Sequence, residues 1–187
     1  MDYPEDSVLL DQFRLAASRE AAFTTLVKKY QERLYWHVRR MVVDHDDAHD
    51  VLQNVLIKVW KGLENFQENS KLYTWLYRIA TNESLSFLEQ QKRKISSSSL
   101  QEGENSLENK IKADRHFDSQ KLEWKLQLAI QKLPEKQRLV FNLRYFDEMP
   151  YEEMSRILET SEGGLKASYH HAAKKIEEIL LQDAENF

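Results

Sequence analysis

Lys166, Ala167, His170, His171, Lys174 and Lys175 fall on one side of a helical repeat near the C-terminal end. Cations and imidazoles at this spacing reach phosphates and base edges in a DNA groove. The opposite side carries Leu165, Tyr169, Ala172, Ile176 and Leu180, an apolar stripe of helical period. Ser161 suits the N-cap of this helix. Just upstream, Pro150 opens a shorter helix, because proline is tolerated only at a helix start. Glu152 and Glu153 sit in its first turn, where the helix dipole favours negative charge. Met154, Ile157 and Leu158 form its apolar side, and Glu159-Thr160-Ser161 breaks the pattern. Two short helices joined by a tight turn read as a helix-turn-helix, whose second helix enters the major groove. A helical hairpin that binds nothing carries the same stripe, so the DNA reading draws on the rest of the chain.

Two other groupings bear on chemistry. His45 and His49 lie four apart, with Asp46 and Asp50 beside them. Residues four apart share a helical face, a spacing that suits a metal. Spacing points to no third strong ligand, so a solvated acidic helix start is expected and no metal is assigned. Farther along, Tyr73, Tyr77, Arg78 and Asn82 are left over from the stripe Leu72, Trp75, Leu76, Ile79 and Leu88. Aromatic rings among Arg, Lys and Asn suit single-stranded DNA, where bases stack and cations meet phosphates. The same rings at helical spacing also make a core. Paired carboxylates, a Ser/His/Asp set and a phosphate-binding glycine loop are all lacking, so no enzyme and no cofactor are expected.

The elements that must position these residues are helical. The 187 residues include 4 Gly and 3 Pro, with 41% hydrophobic and 31% charged. This composition and the helical periodicity predict an all-α protein. There is no cysteine, so disulfides and thiolate metal sites are excluded. Asp2, Glu5 and Asp6 replace the basic start of a signal peptide, and no apolar run is long enough to span a bilayer. A cytoplasmic location is expected. The net charge of −4 is unusual for a free-standing DNA binder, whose affinity comes largely from neutralising phosphates. It points to local basic surfaces or to a partner that supplies DNA affinity.

In order, Ser7 is placed to cap a first helix with Val8, Leu9, Leu10 and Phe13. A longer helix follows, with Ala22, Phe23, Leu26, Tyr30, Leu34, Val38, Met41 and Val42 on its apolar face. Lys28, Lys29, Arg33, Arg39 and Arg40 are expected on a solvated basic face. Asp44 caps the next helix, with Asp47 completing an acidic capping box. This helix is expected to run to about Trp60 and stop at Gly62, with Ala48, Val51, Leu52, Val55, Val59 and Trp60 inward. Asp47, Asp50, Gln53, Asn54 and Lys58 lie outside that stripe, and such an acidic, polar row suits a protein surface rather than DNA. Glu64–Lys71 is a polar loop containing Phe66, and Ser70 caps a helix from Lys71 to about Lys94. Residues 95–120 lose periodicity: a serine run leads into Gln101–Asp118, with five acidic against three basic residues. This is a linker by composition. The expected organisation is two small helical domains, 1–94 and 121–187, joined by a flexible linker at 95–120. The second holds Leu122, Trp124, Leu126, Ile130 and Leu133, a helix opened by Pro134, and the helix-turn-helix.

Two motif sets stand in order across the linker. The first half holds Asp46-Asp47-Ala48-His49-Asp50-Val51-Leu52-Gln53 and Thr74-Trp75-Leu76-Tyr77-Arg78-Ile79-Ala80-Thr81-Asn82. The second holds Leu133-Pro134-Glu135-Lys136-Gln137-Arg138, Tyr151-Glu152-Glu153 and Gly163-Gly164-Leu165-Lys166. This arrangement resembles a bacterial RNA polymerase sigma factor of the extracytoplasmic-function (ECF) group, over about Val8 to Leu181. The resemblance implies promoter recognition and melting as a subunit of core RNA polymerase, in a stress or envelope response, with an anti-sigma factor as a further partner. Asp47, Asp50, Gln53 and Asn54 match the helix that docks on the polymerase clamp. Phe66, Lys71, Tyr73, Trp75, Arg78 and Asn82 match the loop and helix that melt the −10 element and capture a flipped non-template base. Ser161, Lys166, Ala167, His170, His171 and Lys174 match the helix-turn-helix that reads the −35 duplex. The acidic linker suits a strand that threads a basic polymerase channel. Because the polymerase supplies DNA affinity, the acidic net charge is then expected.

The chain departs from the family pattern at several of these positions. His49 and Asn54 stand where Glu is common, which makes the polymerase contact less acidic. Ser86 and Glu89 replace an Asp and an Arg. Gly164 replaces a Thr and softens the first turn of the recognition helix by about 1 kcal/mol relative to alanine. Ala167 and Ser168 are small where Ser and Arg are usual. His170 and His171 replace an aromatic or apolar residue and an Arg, so the −35 preference should differ. Two other readings compete: a dimeric duplex-binding regulator with the same helix-turn-helix, and a metal-dependent enzyme on His45, Asp46, His49 and Asp50. The Trp75–Asn82 motif speaks against the first.

Overall fold

A computed structural model describes residues 3–97 and 122–185. Most of the expected linker, residues 98–120, lies outside them. The described residues form eight α-helices and a short 3-10 turn, with no strand among them: α1 (Asp6–Arg14), α2 (Arg19–Val42), α3 (His45–Gly62), the turn Leu63–Asn65, α4 (Leu72–Ser97), α5 (Leu122–Gln131), α6 (Glu135–Tyr145), α7 (Tyr151–Leu158) and α8 (Glu162–Glu185). Cα proximity divides the chain into two compact units, Met1–Val42 with Asp46–Leu88, and Val43–His45 with Glu89–Phe187. The division falls inside α4, which runs to Ser97, three residues beyond the end its composition suggests.

The first unit is built on the apolar stripes of α1 to α4. Leu34, Val38, Ala48, Val55, Val59, Leu76 and Ala80 are fully buried between them. Each helix contributes one face, and burial of these faces supplies most of the helical stability. Helix α1 starts two residues earlier than expected. Glu5 rather than Ser7 occupies the N-cap, without a side-chain bond to the helix. Asp6 explains the shift. Its carboxylate accepts the Tyr30 hydroxyl at 2.8 Å and pairs with Lys29 at 2.8 Å, fixing the first turn onto α2. Burial, and then the Asp6 carboxylate, hold the Tyr30 phenol well above its usual range.

Two positions differ from the helical-wheel expectation. Arg39, expected on a solvated face, is 6% exposed. Trp60, expected inward, remains 38% exposed. It packs edge-on against Phe13 at 5.3 Å and Phe23 at 4.9 Å, so only part of its ring is covered.

The second unit gathers Ala129, Ile130, Leu133, Phe141, Ala172 and Ile176 into one core, with Tyr169 and Leu180 against it. Pro134 and Pro150 stand at the N-caps of α6 and α7, as their missing N–H groups require. At the end of α7, Glu159 adopts a left-handed conformation, φ 51, that turns the chain into α8. Ser161 then caps α8, its Oγ accepting the Gly164 N–H at 3.2 Å.

Candidate nucleic-acid and polymerase interfaces

On α3 the sequence pattern separates cleanly. Val51, Leu52 and Val55 are buried while Asp50, Gln53 and Asn54 are exposed and Asp47 is half-buried. These polar residues run along one side over two turns. Their carboxylates and amides give this side of α3 an acidic, polar face. His49 is exposed on the same helix, its ring 4.9 Å from that of Tyr35. Among the described residues no group of three or more His, Asp or Glu side chains is gathered that could hold a metal.

The loop from Leu63 to Lys71 and the first half of α4 make the second surface. Lys71, Arg78 and Asn82 are exposed, with Arg78 and Asn82 one turn apart. Tyr73 is half-buried, and the Lys71 ammonium lies 5.7 Å from its ring centre. The remaining two predicted residues are placed differently. Phe66 is buried at 7%, and Trp75, half-buried, lies 5.1 Å from it. An added Cβ on Gly62 would come within 3.0 Å of the Trp75 indole. Gly62 thus ends α3 and also makes room for Trp75. These two aromatics pack the loop against the end of α3, and Trp75 stays partly exposed.

Beneath this surface lies a contact that the sequence pattern does not reveal. His37 of α2 is fully buried, its Nε2 3.0 Å from Thr81 Oγ1 and its ring 5.0 Å from that of Tyr77. Lys58 of α3 pairs with Glu83 of α4. Both contacts lock α4 to the rest of the unit directly behind Arg78 and Asn82. A lone His on an otherwise apolar face was the only signal.

The third surface is α8. Leu165, Ala172 and Ile176 are buried, whereas Lys166, Ala167, His170, His171, Lys174 and Lys175 are exposed. The two imidazoles are neighbours, 6.1 Å between ring centres. Lys166 lies 5.5 Å from the Tyr151 ring centre and 3.4 Å from Glu162, which steers it along the helix start. Lys174 reaches Glu178 at 4.0 Å. Ala167 leaves an open step between the cations. A helix of this kind, preceded by a tight turn and a supporting helix, fits a major groove.

The comparisons agree with this geometry. The family description Sigma-70 region 2 matches residues 26–94, and Sigma-70, region 4 matches residues 123–176. The chain is 30% identical over 183 residues to the RNA polymerase sigma-H factor of Pseudomonas aeruginosa, covering 94% of each. It is 32% identical over 179 residues to the ECF RNA polymerase sigma-E factor of Escherichia coli K12, covering 92% of each. Among solved structures, CnrH, in complex with the cytosolic domain of CnrY, is similar in fold with a TM-score of 0.70 and 20% identity, over 95% of this chain and 98% of that one. The sigma factor RpoE of Bartonella quintana, solved with the anti-sigma factor NepR, gives a TM-score of 0.67 at 22% identity, over 84% and 96%. The chain therefore belongs to the sigma-70 family as an ECF-type sigma factor, an initiation factor that takes core RNA polymerase to promoters.

Proposed function

We propose that the three surfaces divide promoter recognition among them. Asp47, Asp50, Gln53 and Asn54 on α3 dock on core polymerase. Lys71, Tyr73, Trp75, Arg78 and Asn82 hold the melted −10 non-template strand, with Phe66 supporting Trp75 from below. Ser161, Lys166, Ala167, His170, His171 and Lys174 meet the −35 duplex. Domains 1–94 and 121–187 carry these tasks, with 95–120 as the connection between them. The protein works in the cytoplasm, in a stress or envelope response, and an anti-sigma factor is a natural partner, given the relatives solved with such proteins. No helix among the described residues is long and apolar enough to cross a membrane.

The observation that carries this reading is the exposure of Arg78 and Asn82 on a helix locked from behind. A carboxamide offers both a donor and an acceptor to a base edge. An extruded base costs a few kcal/mol, and a fixed pocket offsets that cost in the melted state. A guanidinium one turn away meets the adjacent phosphate. The test is an open complex with 2-aminopurine at each −10 non-template position. Asn82→Ala should abolish the fluorescence rise at one position and leave polymerase binding intact. An unchanged rise at every position would remove Asn82 from base capture. Asp50→Lys should do the converse, lowering affinity for core polymerase.

A further inference from the structure

We propose that Arg14 and Arg19, at the corner between α1 and α2, are positioning residues for −10 recognition: they brace the Leu63–Lys71 loop from outside the DNA-reading surface. The inference rests on the reading that this loop and α4 hold the −10 strand.

The loop poses two physical problems. It carries Glu64 and Glu68 on a surface meant for phosphates, where a bare carboxylate repels DNA. Glu68 also has φ 57, a left-handed conformation that non-glycine residues rarely adopt. Something must offset both. The two arginines do so from far away in sequence. Arg19 Nη2 meets Glu64 Oε1 at 3.0 Å, and Arg14 Nη2 meets Glu68 Oε1 at 2.8 Å.

Both arginines are themselves held. Arg14 Nη1 donates to Asp11 at 3.2 Å. Arg19 Nε donates to the Phe13 carbonyl at 3.1 Å, and its guanidinium lies 5.3 Å from the Phe13 ring centre. Phe13 is buried and packs on Trp60, in the last turn of α3 before the loop. The corner thus grips both the start of the loop and its strained middle. Each pair is solvent-accessible, and such pairs contribute little to folding alone. Two of them on one short loop act on its course instead, which sets where Lys71 and the start of α4 stand.

The experiment is reconstituted transcription with the full chain and bacterial core polymerase. Promoters share one −35 element and differ by single bases at −10. The Arg14→Ala/Arg19→Ala variant should lose −10 selectivity about three- to tenfold, with an unchanged urea midpoint. The charge swap Arg14→Glu/Glu68→Arg should recover at least half of the loss attributable to Arg14→Ala alone. If the arginines instead touch phosphate directly, Glu64→Gln/Glu68→Gln would raise all transcripts alike and the swap would not rescue, which overturns the proposal. Wild-type selectivity in Arg14→Ala/Arg19→Ala, alongside lost selectivity in Asn82→Ala, overturns it while leaving the −10 reading intact. Wild-type selectivity in both variants overturns the −10 reading itself.

Discussion

Helix α4 and helix α8 both present polar residues that the proposed function sends to DNA, yet only on α8 do all the residues of the proposed site stay apart from the core. On α8 the cations and imidazoles occupy one face and the buried stripe another. On the α4 surface, Phe66 and Trp75 pack the loop and border the proposed DNA site at once. The difference follows from what each must bind. A duplex is a preformed partner, so an exposed face suffices. A melted strand must be captured base by base, which needs a walled pocket, and walls are part of a core.

The largest expected contrast tests this directly. Phe66→Ala should destabilise the first unit by about 3 kcal/mol, as loss of a buried aromatic does. Urea unfolding followed by circular dichroism would report it. His170→Ala/His171→Ala should move stability by less than about 0.5 kcal/mol, as exposed substitutions do, while weakening −35 duplex binding. A stable Phe66→Ala protein that fails only in melting would make Phe66 a base contact and break the contrast.

A smaller effect belongs to the second unit's own core. Asn142 of α6 is fully buried, and neither polar atom of its side chain has a hydrogen-bond partner among the described residues. Asn142→Leu should raise that unit's stability by about 1–2 kcal/mol, because an unpaired buried amide is costly. Duplex binding should be unchanged, since the DNA face lies elsewhere. Loss of stability would reveal a partner for the carboxamide and a polar element in this core.

The smallest effects sharpen the account of the turn and the recognition helix. Glu159→Gly should stabilise by about 0.5 kcal/mol by relieving the left-handed strain. At Gly163 an added Cβ meets nothing within 4 Å, whereas at Gly164 it meets Ser161 Oγ and Thr160 Cγ2 at 3.3 Å. Gly163→Ala should therefore add about 0.5–1 kcal/mol of helix stability, and Gly164→Ala should gain less. Thermal melts of the two variants side by side would show the order. Equal gains would mean the cap yields without cost. The glycine that departs from the family pattern, Gly164, thus has a local reason in the crowding around its cap.

The helices and the exposed polar face of α8 were legible because period and capping act locally. Pro150, Ser161 and the stripe from Leu165 to Ile176 fix α7 and α8 without reference to the rest of the chain. What stayed hidden depends on contacts distant in sequence. Arg39 and Trp60 exchanged their expected exposure because burial is decided by neighbours on other helices. The shift of α1 to Asp6 needed Lys29 and Tyr30, and the grip of Arg14 and Arg19 on the loop spans 54 and 45 residues. Phe66 and Trp75 could be named as aromatic residues of the site, but not which of them faces inward.

The measurement that tests the division of promoter reading most directly is a promoter-by-variant cycle in run-off transcription with core polymerase. Wild type, Asn82→Ala and His170→Ala/His171→Ala would each be run on promoters altered at −10 or at −35. Each variant should become blind to changes in its own element and keep full sensitivity to the other. A variant that loses sensitivity to both elements equally, or to the wrong one, would contradict the assignment of α4 to the melted strand and α8 to the duplex.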